Sequence, residues 1–561
     1  MKYIFVKSLV VSLLIICGCT KNLDLAPQDT ISDATFWRTA DEFKLAANNL
    51  YLSLPVFNRD DLESDIAFEV PNAISNGTYQ LTETASSWNT PYIYIRRCNN
   101  IIGKAAQLEK GADASIPQYV AEARFFRAFN YWQLFRMYGG VPIVDEVLDI
   151  ASDALYSTRA DRKTTVDFII NDLQEAANNL PEQKNLAASD NGRITKGAAL
   201  ALLARVALFE GTWGKSRGNT SATQYLDQAI ENAKLVMESN QYSLFSAKGK
   251  DSYRYLFIEE GDDASENILA RRYQRDIVSH GYPFSIDRTC YLPTKKLADM
   301  YLCSDGLPIT KSTMFEGYGS MRAEYQNRDP RMTMTMVIPE NKILRPFHPI
   351  EPVANYPFYP QKNGNTGYIT YKYMSESAFG NNAGDNGQSH DYDHRLIRYA
   401  EVLLIYAEAL FEKNGEISDA DLDKSINLIR ARVSMPSVTN AFIENNNLNM
   451  REEIRRERSI ELALEGFRYD DLRRWKTAET ELPNAIKGIN IKISAWQVPT
   501  LPGGIRNPYS DETWQKNTDE NGFIICENAD ARTFDPNRHY LRPLPTREIL
   551  INPSLQQNPG W

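Results

Sequence analysis

Six stretches of helical periodicity in the first half of the chain limit most strongly what it can fold into. Glycine or proline stands where several of them stop, and their predicted ranges are 40–52, 92–108, 117–137, 164–180, 195–210 and 222–238. The fifth stretch carries closely spaced alanines that let neighbouring helices approach: Ala198, Ala199, Ala201, Ala204 and Ala207. This pattern predicts antiparallel helix pairs similar to tetratricopeptide repeats, although no strict repeat of about 34 residues is present.

The second half of the chain has a different texture. Between about 245 and 390, Gly, Pro, Asn and aromatic residues crowd together, and only short pieces such as 368–373 look like strands. This segment is too long for an ordinary loop, so we expect an irregular subdomain over the helices. Helices are predicted again at 395–412, 421–433 and 450–476, before a loop-rich end at 480–561. The predicted fold is mostly α, with an N-terminal helical region at 19–245 and a C-terminal region at 246–561.

The first residues predict a lipid anchor. Lys2 and Lys7 precede an apolar run over 8–18, which is shorter than the roughly 20 residues of a membrane-spanning helix and is typical of a signal peptide. Ile16-Cys17-Gly18-Cys19 fits the lipobox of bacterial lipoproteins, so we expect residues 1–18 to be removed and Cys19 to be acylated. Two or three acyl chains hold a protein firmly to a membrane. The alternative is a plain cleaved signal; a zinc site at Cys17 and Cys19 lacks a second ligand pair.

Composition argues against a nucleic-acid partner and limits how many disulfides the chain can form. Removing residues 1–18 takes away two lysines and moves the formal net charge from −10 to −12, which argues against a nucleic-acid partner. The remaining cysteines have no CxxC spacing, and either one disulfide or four buried thiols is compatible with them: Cys98, Cys290, Cys303 and Cys526.

Motifs for catalysis or metal binding are weak. The chain has no GxSxG, HExxH or GxxxxGK[ST] motif. His390 and His394 stand four residues apart and could bind a metal on a helix, but Asp391 or Asp393 capping the start of a helix explains the same residues.

Three glutamates share one face of the helix predicted over 450–476: Glu453, Glu457 and Glu461. Paired carboxylates could hydrolyse glycosidic bonds or bind two metal ions. Arginines interleave with them at 455, 456, 458 and 468, so ion pairs on or near the helix surface are the simpler interpretation.

Aromatic residues beside polar ones mark four segments without helical periodicity, at 75–79, 86–92, 279–291 and 315–318. An exposed ring can cover the C–H face of a sugar while a neighbouring amide or charged group binds its hydroxyls. The alternative is that these rings attach long loops to the helices.

Many motifs, in one order along nearly the whole mature chain, resemble the SusD/RagB-like outer-membrane lipoproteins of Bacteroidetes. The motifs include YIRRCNNII, AEARFFRAFNYWQLFRMYGGVPIV, RITKGAALALLARVALFEG, PTKKLADMYLCSDGLPI, RLIRYAEVLLIYAEAL, RRERSIELALEGFRYDDLRRW and YLRPLPTREILINPSLQQNPGW. The resemblance implies a helical body of tetratricopeptide-like hairpins, anchored by lipid at the cell exterior, above a SusC-like TonB-dependent transporter.

The resemblance also implies a function. Such proteins capture glycans, or less often peptides, for import without catalysis, and no cofactor is implied, although a structural calcium or other metal stays open. Their ligand residues come from the loop before the YIRRCNNII-type helix and from loops around the PTKKLADMY-type segment. In this chain these regions offer Trp88, Asn89, Tyr92, Tyr282, Arg288, Tyr291 and Tyr318. A helical glycoside hydrolase or lyase, a tetratricopeptide-type scaffold and a periplasmic orientation are the alternatives.

Overall fold

The computed structural model describes residues 36–108, 113–287, 291–339, 366–375, 390–501, 504–507, 509–510 and 517–561. The predicted signal peptide, Cys19, Arg288 and Cys290 lie outside these residues. The predicted mostly-α fold is confirmed, because long helices make up the first half and only short strands occur between the later ones.

The described residues of the N-terminal half form six α-helices, and from the second onwards each packs against the next. They are α1 (Ala40–Leu50), α2 (Ser86–Ala106), α3 (Ile116–Tyr138), α4 (Arg162–Asn179), α5 (Lys196–Lys215) and α6 (Ala222–Glu238). Side-chain caps fix several starts: Thr39 and Glu42 form a capping box on α1, and Asp161 accepts a hydrogen bond from Thr164 N at 2.6 Å on α4. The prediction that the fifth helix ends at 210 is wrong, since α5 continues past Gly211 to Lys215. A side chain at Gly211 would meet Leu226 of α6 at 2.9 Å. Gly211 therefore permits close packing of two helices.

The second half contains mostly short helices. Within the described residues there are four two-stranded antiparallel sheets, β1–β3, β2–β4, β5–β8 and β6–β7, and the first of them joins the two halves because β1 lies in the N-terminal half. The helices are α7 (Ser252–Tyr255), α8 (Tyr282–Asp287), α9 (Lys295–Met300), α10 (Pro330–Thr335), α11 (Tyr399–Asn414), α12 (Asp419–Asp423), α13 (Ile426–Arg432), α14 (Asn440–Asn445), α15 (Met450–Glu461), α16 (Arg468–Arg474), α17 (Ala478–Glu481) and α18 (Thr546–Ile551). The strands are β1 (Ala67–Phe68), β2 (Asn267–Arg271), β3 (Leu292–Pro293), β4 (His394–Arg398), β5 (Ile486–Asn490), β6 (Thr500–Leu501), β7 (Ile505–Arg506) and β8 (Phe523–Glu527).

Four predictions for this half are wrong in detail. The helix expected over 421–433 is replaced by two short helices, α12 and α13. The helix expected over 395–412 begins only at Tyr399, because the residues before it pair with β2 as β4. The helix expected over 450–476 is broken into α15 and α16, where Leu464 and Gly466 take positive φ values of 63° and 83°. Thr370, in the strand-like segment 368–373, forms only an isolated bridge with Met336.

Two apolar clusters form the core. The first fills the helical array and includes residues of α3, α5 and α11, such as Phe125, Leu202 and Leu403. The second lies in the C-terminal part and includes Tyr301 and Trp496. Cys98 and Cys303 are buried free thiols. Among the helices of the described residues, none is long and apolar enough to cross a membrane.

The glutamates of α15 are buried, not on a surface. Glu457 accepts hydrogen bonds from Arg331 at 2.6 Å and from Arg430 at 2.8 Å. Glu461 accepts from Arg398 and Arg432, both at 2.6 Å. The expected ion pairs are present, but the expected position on or near the helix surface is wrong. The partners of Glu457 and Glu461 come from other elements, whereas Glu453 pairs with Arg456 of α15 at 3.3 Å.

The two histidines weighed for metal binding are not on a helix. His394 begins β4, and His390 forms an isolated bridge with His280. Within the described ranges there is no cluster of three or more His, Cys, Asp or Glu residues that could hold a metal ion.

Candidate functional site

Trp88, Asn89 and Tyr92, the first group of candidate ligand residues, were predicted to lie in a loop. This prediction is wrong, because residues 86–92 form the start of α2. The ring of Trp88 is only 4% exposed and makes an edge contact with Tyr138 at 5.1 Å. The hydroxyl of Tyr92 donates to the carbonyl oxygen of Pro142 at 2.9 Å. Asn89 is exposed on the same helix. Trp88 therefore does not present the solvent-facing ring that the loop interpretation required.

The second group is buried as well. Tyr282 stacks on Phe57 with ring centroids 4.6 Å apart, and its hydroxyl donates to the carbonyl oxygen of Asn58 at 3.0 Å. Tyr291 is 1% exposed, and its hydroxyl donates to Asp61 at 3.4 Å. For these two tyrosines the alternative interpretation holds: the rings attach loops to the body of the protein. Arg288 lies outside the described residues.

Tyr318 differs from these residues because its ring is half-buried and not fully packed in the core. It makes edge contacts with Phe523 at 4.8 Å and with Phe315 at 5.4 Å. Its hydroxyl accepts a hydrogen bond from Lys295 Nζ at 3.1 Å and donates to Asp299 at 3.4 Å. Burial and the neighbouring Asp299 carboxylate raise the pKa of Tyr318 above its usual value, so the phenol stays protonated at neutral pH.

The short helix α9 positions the charged partners of Tyr318. Thr294 caps it by accepting from Leu297 N at 3.4 Å, and the same hydroxyl donates to the carbonyl oxygen of Asp65 at 2.7 Å. Leu297 points into the core, which leaves Lys295 and Asp299 outside, one turn apart, with Nζ 2.6 Å from a carboxylate oxygen. The helix is thus fixed through its cap and its apolar face.

Two adjoining cavities run along α9 and form the α9 groove, with volumes of about 310 and 440 Å³. Lys296, Asp299 and Glu481 line both cavities. The first is completed by Met300, Glu452, Arg455, Arg456, Ser459, Arg468, Trp475 and Thr477. The second is completed by Asp65, Thr294, Lys295, Asn484, Ala485, Ile486 and Lys487. Both volumes fall in the range typical of small-molecule sites.

Polar groups on the walls of the groove form pairs. Lys296 Nζ lies 2.6 Å from Glu481, and Lys487 Nζ lies 2.8 Å from Asp519. Such pairs present N–H donors and carboxylate acceptors side by side, and a sugar hydroxyl needs both kinds of partner. The groove can therefore bind a polyhydroxylated ligand, with Tyr318 as the aromatic surface beside it.

Sequence reasoning missed the wall formed by Trp475. The indole N–H donates to Glu408 of α11 at 2.6 Å, and Arg474 donates to both oxygens of the same carboxylate at 2.5 and 2.7 Å. These guanidinium and indole groups lower the pKa of Glu408 to about 2, although its burial acts in the opposite direction. The contact joins residues 67 positions apart, so no local pattern could have indicated it.

Comparison with known proteins places this architecture in a described family. A family model described as "SusD family" matches residues 282–561, and one described as "Starch-binding associating with outer membrane" matches residues 57–208. A SusD-like protein of Bacteroides ovatus is 24% identical over 599 residues, which cover 99% of this chain and 98% of that protein. SusD-like protein P38 of Formosa agariphila is 24% identical over 532 residues, 87% of this chain and 94% of that protein.

A solved structure shares both fold and sequence. A SusD-like carbohydrate binding protein from Bacteroides fragilis is 26% identical, with a TM-score of 0.74 over 93% of this chain and 100% of that chain. The helical array and the loop-rich second half are therefore features of the family.

Proposed function

Because the chain belongs to the SusD/RagB family, we propose that it is a lipoprotein of the outer membrane that captures a glycan for import by a SusC-like TonB-dependent transporter. The relative from Bacteroides fragilis is described as carbohydrate binding, and the motif ending at Cys19 supports a lipid anchor. In this proposal the protein faces the cell exterior and does not cleave its ligand. A tethered binder beside a transporter raises the local ligand concentration without further contacts.

The observation that carries the binding proposal is the α9 groove beside Tyr318. Its walls offer paired lysines and carboxylates for hydroxyl groups, and Tyr318 offers a half-buried ring that can cover the C–H face of a sugar. Contacts from α9 and from Glu408 hold these walls in place before any ligand arrives, and such preorganisation lowers the cost of binding.

Affinity electrophoresis tests this site. Detergent-solubilised mature protein is run through native gels that contain plant, host or microbial polysaccharides, and the best ligand is incubated with the protein and assayed for new reducing ends. We expect retardation without hydrolysis. Tyr318→Ala should weaken the retardation about thirtyfold, since stacking and the lost hydroxyl are each worth about 1 kcal/mol. Tyr156→Ala is the matched control, because Tyr156 is 56% exposed and lies in the segment between α3 and α4 of the N-terminal half.

Two results would contradict the proposal. Retardation that is unchanged in Tyr318→Ala would move glycan binding away from the α9 groove. New reducing ends that depend on the protein would indicate a glycoside hydrolase or lyase, the alternative that the α15 glutamates first suggested. Their burial in arginine pairs makes them unavailable to a substrate.

The transporter is proposed to meet an apolar surface of the N-terminal half. Ile150 is 94% exposed and Leu155 is 45% exposed. Hydrogen bonds tie this segment to its neighbours, from Arg96 to the carbonyl oxygen of Leu148 and from Asn552 of the segment after α18 to that of Ser157. A contiguous patch of exposed apolar side chains marks an interaction site on a protein surface. The surface lies within residues 57–208, which match the family described as associating with the outer membrane.

Co-purification tests this surface. Ile150→Glu should reduce the amount of transporter that is recovered with the lipoprotein from detergent-solubilised membranes, because a charge would be buried in the contact. Ile277→Glu serves as the control, since Ile277 is 75% exposed in a different turn. Equal recovery with both variants would place the contact elsewhere, whereas glycan retardation in gels should be unaffected by either.

A further inference from the structure

One cation in the α9 groove differs from the others because its nearest carboxylates lie beyond hydrogen-bond distance. Lys296 lies 2.6 Å from Glu481, and Arg468 lies 2.8 Å from Asp65. The guanidinium of Arg455 lies 3.6 Å from Glu412 and 3.9 Å from Glu452. Both distances exceed those of N–H···O hydrogen bonds.

The carboxylate nearest to Arg455 is already engaged. Glu412 accepts from Arg451 at 2.9 Å and lies 3.1 Å from Lys215. Within the part of the chain that the structure describes, Nε of Arg455 is buried and donates no hydrogen bond. Burial lowers the pKa of Arg455, and an N–H donor that is buried without an acceptor is costly. The side chain is still 17% exposed, so an incoming anion can accept hydrogen bonds from its terminal N–H groups.

The plane of this guanidinium is fixed. Its central carbon lies 4.8 Å from the ring centroid of Trp475, and Trp475 is held by its hydrogen bond to Glu408. The next residue, Arg456, uses its Nε toward Glu453 at 3.3 Å and lines the same cavity. Arg455 and Arg456 therefore both line the cavity of about 310 Å³.

From this arrangement we propose that the α9 groove binds an acidic glycan, and that Arg455 holds its anionic substituent, a carboxylate or a sulfate ester. The inference rests on the proposed function and adds the class of ligand. A planar guanidinium donates two parallel hydrogen bonds to such a group, which the lysines of the groove, engaged with Asp299 and Glu481, do not offer. The sugar that bears the charge would lie over the wall formed by Arg455 and Trp475.

Matched polysaccharides test the inference. Native gels contain polygalacturonate or its carboxyl-reduced form, and a sulfated galactan or its desulfated form. The mature protein should be retarded more strongly by the charged member of one pair, and that pair identifies the anionic group. Arg455→Gln should weaken the retardation by about tenfold or more, in line with the loss of hydrogen bonds to a charged group. Arg547→Gln, which changes an exposed arginine outside the groove, should leave the retardation unchanged.

A second variant separates binding from folding. Arg455→Lys retains the charge and an aliphatic stem over Trp475 but loses the planar pair of donors, so the loss of affinity should be intermediate. Equal retardation by the charged and neutral members of both pairs would overturn the inference while supporting the proposed function. An Arg455→Gln variant that is folded and retarded like the wild type would have the same consequence. No retardation by any polysaccharide, charged or neutral, would overturn both.

Discussion

Replacing Glu408 by glutamine should destabilise the protein and disturb the groove wall together. Glu408 is 1% exposed and accepts hydrogen bonds from Arg474 and from the indole of Trp475. Glu408→Gln keeps the size of the side chain but removes the charge, which leaves the Arg474 guanidinium with a neutral partner in the interior. Removal of one charge from a buried pair costs about 3–5 kcal/mol.

The pKa of Glu408 gives an independent magnitude. A carboxyl whose pKa falls from 4.5 in the unfolded chain to about 2 in the folded protein stabilises the fold by about 3 kcal/mol at neutral pH. The sign follows from the lowered pKa: this stability is present above pH 4.5 and is lost as the pH falls toward 2. At pH 3.5 about 2 kcal/mol should remain.

Urea unfolding followed by tryptophan fluorescence measures this difference. The free energy of unfolding of Glu408→Gln should lie about 3 kcal/mol below that of the wild type at pH 7 and about 2 kcal/mol below it at pH 3.5. Glu238→Gln is the control, since Glu238 pairs with Lys234 on the surface at 3.6 Å and should change stability by less than about 1 kcal/mol. A difference for Glu408→Gln below about 1 kcal/mol at pH 7, or one that does not shrink toward pH 3.5, would refute the reasoning.

Two further predictions concern the helical half. Gly140→Ala should lower the free energy of unfolding by more than about 2 kcal/mol, because the new Cβ would lie 2.1 Å from the carbonyl oxygen of Ala160. Gly103→Ala is the control, since the new Cβ there meets nothing within 4 Å. Similar urea midpoints for the two variants would contradict the prediction. Cys98 should resist iodoacetamide at pH 8 in the folded protein and react in urea, since burial raises its thiol pKa; peptide mapping of the labelled cysteine measures this, and rapid labelling of native Cys98 would contradict it.

Helices whose limits are set by local residues could be predicted from the sequence. The range predicted for the sixth helix, 222–238, is that of α6, and Ala40 begins α1 as expected. Limits set by distant partners could not. The residues before Tyr399 have a helical pattern, but β2, which is more than 120 residues earlier, pairs with them as a strand. Periodicity within one segment contains no information about such a partner.

The site shows the same division between local and distant information. The pair formed by Lys295 and Asp299 lies one turn apart on α9 and follows from spacing alone. Trp88 was expected in a loop because 86–92 shows no helical periodicity, yet α2 begins at Ser86 and continues through Pro91. Aromatic residues beside amides look alike in sequence whether they are packed or exposed. Among the tyrosines discussed above, Tyr318 has a half-buried ring and a hydroxyl hydrogen-bonded to Lys295 and Asp299, which line the groove.

Asp65 explains how a groove made of short elements can be rigid. Its carbonyl oxygen accepts from Thr294 at the start of α9 at 2.7 Å, and its carboxylate accepts from Arg468 at 2.8 and 2.9 Å. One buried residue thus fixes both sides of the groove. By contrast, Lys296 and Lys487 are accessible groove residues whose replacement removes only surface pairs, which contribute about 0–1 kcal/mol each. Ligand preference can therefore change through exposed side chains while the buried frame, and with it the fold, stays the same.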